Sequence, residues 1–172
     1  MKLYLNTWMQ LIKAPKAFFG AYDQQLRQLS PVLFLAVSSV ISALSAMLLG
    51  SHSGNLIKGA ILLVNGFGMA SLAAVFAYMA LVPVAGRGIS FGRLFGVFAH
   101  SSGVVLLFSW IPALVLITEP WRWWLIWTGM RRGCGLTRGQ AAIVLALSFT
   151  MIVMLFWILL PLTVPTSAGV GS

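Results

Sequence analysis

Residues 119–136 read EPWRWWLIWTGMRRGCGL. The stretch holds Glu119, one of only two acids in the chain, and four of its seven tryptophans. How it is read sets the number of membrane crossings. Amphipathic indoles favour the membrane–water interface. Arg131 and Arg132, followed by Gly133 and Gly135, suit a tight cytoplasmic turn. From Trp121 to Arg131 a helix rises only about 15 Å, half of a bilayer core. A span through this region therefore starts earlier, near Ala113, and bends at Pro120. Trp121, Trp123, Trp124, Arg131 and Arg132 become interfacial anchors. Glu119 and Arg122, three residues apart on one helical face, form an ion pair near the outer surface, the favoured reading, or an intramembrane pair. The competing reading is a re-entrant segment that enters and leaves on one side.

The membrane itself follows from composition. The 172 residues are 60% hydrophobic and 8% charged, against about 25% charged in ordinary soluble proteins. Asp23 and Glu119 are the only acids. So little charge cannot coat a soluble globule. The net charge of +9 raises nucleic acid as a partner, but the basic residues are scattered between apolar runs, not gathered on one solvated face. That pattern speaks against nucleic acid and suits membrane loops. Cys134 is the single cysteine, so no internal disulfide can form, and no histidine or acid lies near it to build a metal site. Lys2 is followed by a run broken by Asn6, Thr7, Gln10 and Lys13, which does not read as a cleaved signal peptide.

Residues 1–30 form an amphipathic arm. Leu5, Trp8, Met9, Ile12, Phe19, Tyr22, Leu26 and Leu29 recur at helical spacing, opposite Asn6, Gln10, Lys13, Gln24 and Arg27. Such a helix lies in the membrane interface or folds against the chain's own spans, and Pro15 should divide it. Residues 31–161 form the membrane domain. Its apolar runs are Val32–Leu49, Gly59–Ala85, a third from Phe91–Arg93 to Trp110 or Ile111, Ala113–Met130, and Ala141–Leu160. Residues 162–172 read as a short disordered tail.

The expected fold is all-α, with five transmembrane helices and an N-terminal amphipathic interfacial helix. Charge asymmetry supports the count. With the N-terminus in the cytoplasm, Lys2, Lys13, Lys16, Arg27, Arg87, Arg93, Arg131, Arg132 and Arg138 all lie inside, and only Lys58 and Arg122 lie outside. That is a strong positive-inside bias. It places the N-terminus in the cytoplasm and the C-terminus outside; a membrane of bacterial inner (plasma) type is what the family resemblance given below implies.

Small residues mark where helices approach. Ser38, Ser42 and Ala46 do so in the first span. Gly66, Ala70, Ala74 and Ala77 form a packing or partner face in the second. Gly96, Ala99 and Gly103 line the third. Close approach replaces the hydrophobic drive that lipid removes. Candidate chemistry is sparse. Two distant acids cannot form a carboxylate pair. The stretch GRGISFGR lacks the Gly-Lys-Ser/Thr ending of a phosphate loop. One intramembrane histidine, His100, cannot supply a bis-histidine haem. His100 and Asn65 are the possible intramembrane polar site. For each, the plain alternative is a hydrogen bond between helices. No catalytic, cofactor or metal residues are expected.

Three patches resemble the Yip family of Ypt/Rab-interacting membrane proteins and its bacterial relatives. They are Pro15–Lys16–Ala17–Phe18–Phe19 before the first span, SFGRLFGVFAHSS over Ser90–Ser102, and WTGMRRGCGLTRGQAAIVL over Trp127–Leu145. The resemblance implies a five-helix membrane fold. His100 stands where the family often has tyrosine, Gly103 near a usual proline, and Gln140 where lysine is common. The Rab-binding sequences of eukaryotic members have no counterpart here, so a Rab partner is not implied.

The expected function is non-enzymatic: a scaffold or accessory subunit that binds other membrane chains, as hetero- or homo-oligomer, within the lipid bilayer. The alternative is a small transporter or lipid-handling protein with a polar pathway near His100.

Overall fold

A computed structural model describes residues 2–23, 30–49, 56–86, 88–109 and 111–163. The expected tail from residue 164, the loop holding His52, Gln24, Leu26, Arg27, Leu29 and Arg87 lie outside these residues. The described elements are all helical: α1 (Lys2–Lys13), α2 (Pro15–Gly20), α3 (Pro31–Leu49), α4 (Leu56–Ala85), α5 (Phe91–Leu106), α6 (Pro112–Gly133) and α7 (Arg138–Thr163).

Helices are the expected solution for apolar segments, because they satisfy every interior backbone group within the segment. Hydroxyls inside these helices turn back on their own chain. Ser38, Ser39 and Ser71 each donate to the carbonyl four residues earlier at 2.9 Å, which hides the polar group from its apolar surroundings. Among the described residues three helices are long and apolar enough to cross a membrane: α3, α4 and α7. Helix α5 is apolar but shorter. Helix α6 has 22 residues, about 33 Å at 1.5 Å per residue, and carries four charges. The chain is thus an all-helical membrane protein with three helices of membrane length.

Helix α6 runs without interruption through Pro120. The missing N–H of Pro120 costs one bond to the Leu116 carbonyl, yet the helix continues beyond it. It closes at Cys134, and Gly135 takes a positive φ of 71°, a conformation that favours glycine after a helix. Thr137 and Gln140 then cap α7 reciprocally. The Thr137 N–H donates to Gln140 Oε1 at 3.1 Å, and the Gln140 N–H donates to Thr137 Oγ1 at 3.3 Å. Such a capping box satisfies two amides that would otherwise be orphaned. Gln140 is therefore a local structural residue.

Of the two readings of the arm, the structure shows the one in which it folds against the chain's own helices. Leu11, Phe18, Phe19 and Tyr22 are buried in one core with residues of α3 to α7, so residue 30 is not a packing boundary. Contacts run the length of α5. Asp23 pairs with Arg93 at 3.1 Å at one end, and the Trp8 ring lies 6.1 Å from Phe108 past the other. Glycines make the slots. A Cβ on Gly96 would strike the Tyr22 hydroxyl, and one on Gly103 would sit 2.7 Å from the Phe34 ring. Periodicity alone could not show this, because an apolar helix face looks the same whether lipid or another helix covers it. Part of the arm does face outward: Leu5, Met9 and Ile12 form an exposed stripe.

Candidate functional site

The small-residue face of α4 is consumed inside the chain. Ala70, Ala74 and Ala77 are buried, and a Cβ on Gly66 would meet Leu106 of α5 at 3.2 Å and Ser39 of α3 at 3.4 Å. It is a packing face and not a partner face. Ser38 accepts a 2.9 Å bond from the Tyr4 hydroxyl of the arm, and Ser42 pairs with Ser109 at 3.0 Å.

His100 sits in an aromatic cage. Phe34 stacks on it at 5.0 Å, and Phe18 and Tyr22 stand at 5.3 and 5.9 Å. Its exposure is 0%. Nδ1 lies 2.9 Å from the Gly96 carbonyl. A carbonyl only accepts, so Nδ1 carries the proton, and the neutral ring leaves Nε2 as a bare acceptor. Nε2 has no hydrogen-bond partner. Tyr22, whose hydroxyl is 3.5 Å from Nδ1, is held neutral because burial pushes its phenol well above the ordinary range. The ring is walled in by apolar neighbours and has no second titratable partner to exchange protons with. Asn65 lies elsewhere, exposed on α4; the two residues do not form one site.

The tryptophans also fall elsewhere than expected. Trp121 and Trp123 pack against the core from the middle of α6, and Trp124 is 40% exposed. They do not mark a helix end. Arg131 and Arg132 do: they occupy the last turn, with the Arg131 guanidinium 4.8 Å from the Trp127 ring. At the same end Arg93 clamps three elements, donating Nε–H to the Gly133 carbonyl at 2.6 Å while pairing with Asp23. Cys134 lies here too, half-buried, and burial pushes its thiol up to about 11.

The middle of α6 instead carries charge. Glu119 Oε2 and Arg122 are 2.8 Å apart. Both line a cavity of about 180 Å³ enclosed by α4, α5, α6 and α7. The lining includes Phe98 and Ser102 of α5, Trp123 of α6, Met69 and Ala73 of α4 and Phe149 of α7. Met69–Ala73 and Phe149 are near the middles of the two longest helices, so the pair lies level with those middles and not at a helix end. Arg122 Nε is buried and has no partner, although its neighbouring nitrogen is paired. The guanidinium also lies 5.7 Å from the Trp123 ring. The i,i+3 spacing identified the pair in the sequence. A span starting near Ala113 already carries the pair within it, and what the structure adds is the walls that α4, α5 and α7 place around it. Among the described residues no group of histidine, cysteine and acids could hold a metal. The cavity can solvate and bind a polar group.

Comparison with protein-family models, with curated proteins and with solved structures finds no match.

Proposed function

We propose that this chain is a five-span membrane protein of Yip-like plan that works without catalysis, as a scaffold or accessory subunit binding other membrane chains. Helices α5 and α6 supply the fourth and fifth crossings. Arg93, Arg131, Arg132 and Arg138 share one end of the bundle, which supports placing that end in the cytoplasm and the C-terminus outside, in a bacterial inner membrane. The exposed Leu5–Met9–Ile12 stripe beside Lys2 and Lys13 suits lipid contact.

The observation that carries the partner reading is Asn65. It is exposed on α4, and its side-chain amide makes no hydrogen bond to another described residue. Ile61, Gly68, Leu72, Val75 and Met79 continue its face at alternating four- and three-residue steps. Such a seam is the pattern of a helix that pairs with a helix, and an asparagine amide in hydrocarbon seeks a partner across the interface.

Single cysteines placed along α4, in a Cys134→Ser background, test it. Oxidation in native membranes should cross-link positions 61, 65, 68 and 72 to another chain and spare 63, which lies off the seam. Uniform absence of cross-links, or cross-links without that periodicity, would refute the partner reading. A functional alkaline phosphatase fused to the C-terminus checks the orientation.

A further inference from the structure

The Glu119–Arg122 cavity serves no purpose in helix pairing, and its chemistry is specific. Opposite charges stand side by side on one wall, and each is partly open. Glu119 and Arg122 are 40% and 31% exposed. A ligand of one sign would gain from one side chain and lose to the other. A ligand carrying both signs satisfies both. The Ser102 hydroxyl adds a neutral donor, and Arg122 Nε still lacks an acceptor. The remaining walls are apolar, with Phe98, Trp123 and Phe149 among them. About 180 Å³ is below the usual range for drug-sized ligands, so it accommodates a group of several heavy atoms and not a large molecule.

We propose that this cavity binds an ammonium-phosphate group, the phosphate on Arg122 and Ser102 and the ammonium on Glu119. Arginine suits phosphate because its planar fork matches two oxygens at once. The ammonium needs N–H donors to reach the carboxylate, which favours a primary over a quaternary amine. Two sources share this chemistry: the head group of an aminophospholipid, whose chains would lie along the apolar walls, and free phosphoethanolamine. The site is independent of the Asn65 seam.

The test is native mass spectrometry of the full chain in mild detergent with dihexanoyl phosphatidylethanolamine. The matching phosphatidylcholine, phosphatidylglycerol and free phosphoethanolamine are run beside it. The parent should retain the ethanolamine lipid at least tenfold better than the glycerol lipid. Glu119→Gln and Arg122→Gln should each lower retention about tenfold. Ala73→Leu, which fills the cavity and leaves both charges in place, should do the same with helix content unchanged, and so covers the case in which the charge variants fail to fold. Retention of phosphoethanolamine equal to the lipid assigns the site to a soluble ligand, and stronger lipid retention assigns it to a head group. Equal retention of the glycerol lipid, or undiminished retention in Ala73→Leu, would overturn the proposal.

Discussion

His100 and the Glu119–Arg122 pair are both polar and both deep in the bundle, yet the protein treats them in opposite ways. His100 is sealed by Phe18, Tyr22 and Phe34, and three of its four nearest polar or aromatic companions come from outside its own helix. The ion pair is left beside a cavity. The difference follows from charge. A neutral imidazole can be enclosed at the cost of one unused acceptor, about 1–3 kcal/mol. Enclosing two charges costs several kcal/mol per ion unless further hydrogen bonds meet them. Space for water or a polar ligand offsets that cost. Depth in a membrane protein is therefore a poor guide to function, and openness at depth a better one.

The sharpest way to break the comparison is to open the cage. Gly96→Val would drive a side chain into the Tyr22 hydroxyl. Overpacking costs about 1–3 kcal/mol where neighbours can adjust, and here the cheaper adjustment is to expel the arm. Limited trypsin digestion should then cut at Lys13 and Lys16, which the parent protects by docking. Unchanged protection would mean that the arm tolerates the extra volume.

Next in size, the two charges should behave as a unit. Arg122→Leu leaves Glu119 unpaired and should lower stability in detergent by about 2 kcal/mol, below the 3–5 kcal/mol of a fully buried pair because both groups are partly open. The double variant Glu119→Gln/Arg122→Leu should recover most of that loss. Equal losses in the single and double variants would show that the pair is not coupled.

The caged histidine should matter least. His100→Phe removes the unused Nε2 and keeps a ring in the stack, so its stability should fall within about 1 kcal/mol of the parent. His100→Gln should also fold and function nearly normally. A loss of function in His100→Gln at normal abundance would restore the pathway reading of this residue.

Cys134 reports on the same docking. Its thiol is pushed up to about 11 by burial, which outweighs the lowering influence of Arg93. The reactive thiolate is therefore scarce below that pH. Alkylation should keep rising about tenfold per pH unit through pH 10, where an ordinary thiol would have levelled. In Gly96→Val the curve should level earlier, since an undocked arm no longer covers this corner.

Much of the helical plan was legible in the amino-acid pattern. Val32–Leu49 and Gly59–Ala85 match α3 and α4 to within three residues, because apolar runs and glycine-rich breaks are strong local signals. The capped turn after Arg132 was visible in Gly133 and Gly135. The arm's docking was not, since Phe18, Phe19 and Tyr22 are as apolar facing lipid as facing Gly96 and Gly129. The tryptophans misled for a related reason. An indole is at home at an interface, but Trp123 is equally served by an edge contact with Phe149 at 5.8 Å. Of the candidate site, the pairing of Glu119 with Arg122 was visible in the spacing. The walls from α4 and α7 were not, because they come from residues up to 50 positions distant and depend on how four helices meet.

The charged centre of α6 also bears on how the protein is made. A single Arg or acid at the middle of a segment opposes its entry from the translocon by about 2.5–3.5 kcal/mol. Helix α6 carries one of each, with Pro120 between them and a mean hydropathy well below that of its neighbours. On the five-span reading it cannot be handed to lipid alone. It waits beside the translocon until α7 has emerged, and the two enter against α4 and α5 already in place. The cavity is thus closed by the helix synthesised after α6, and truncation before α7 should leave α6 outside the bilayer with its charges in water.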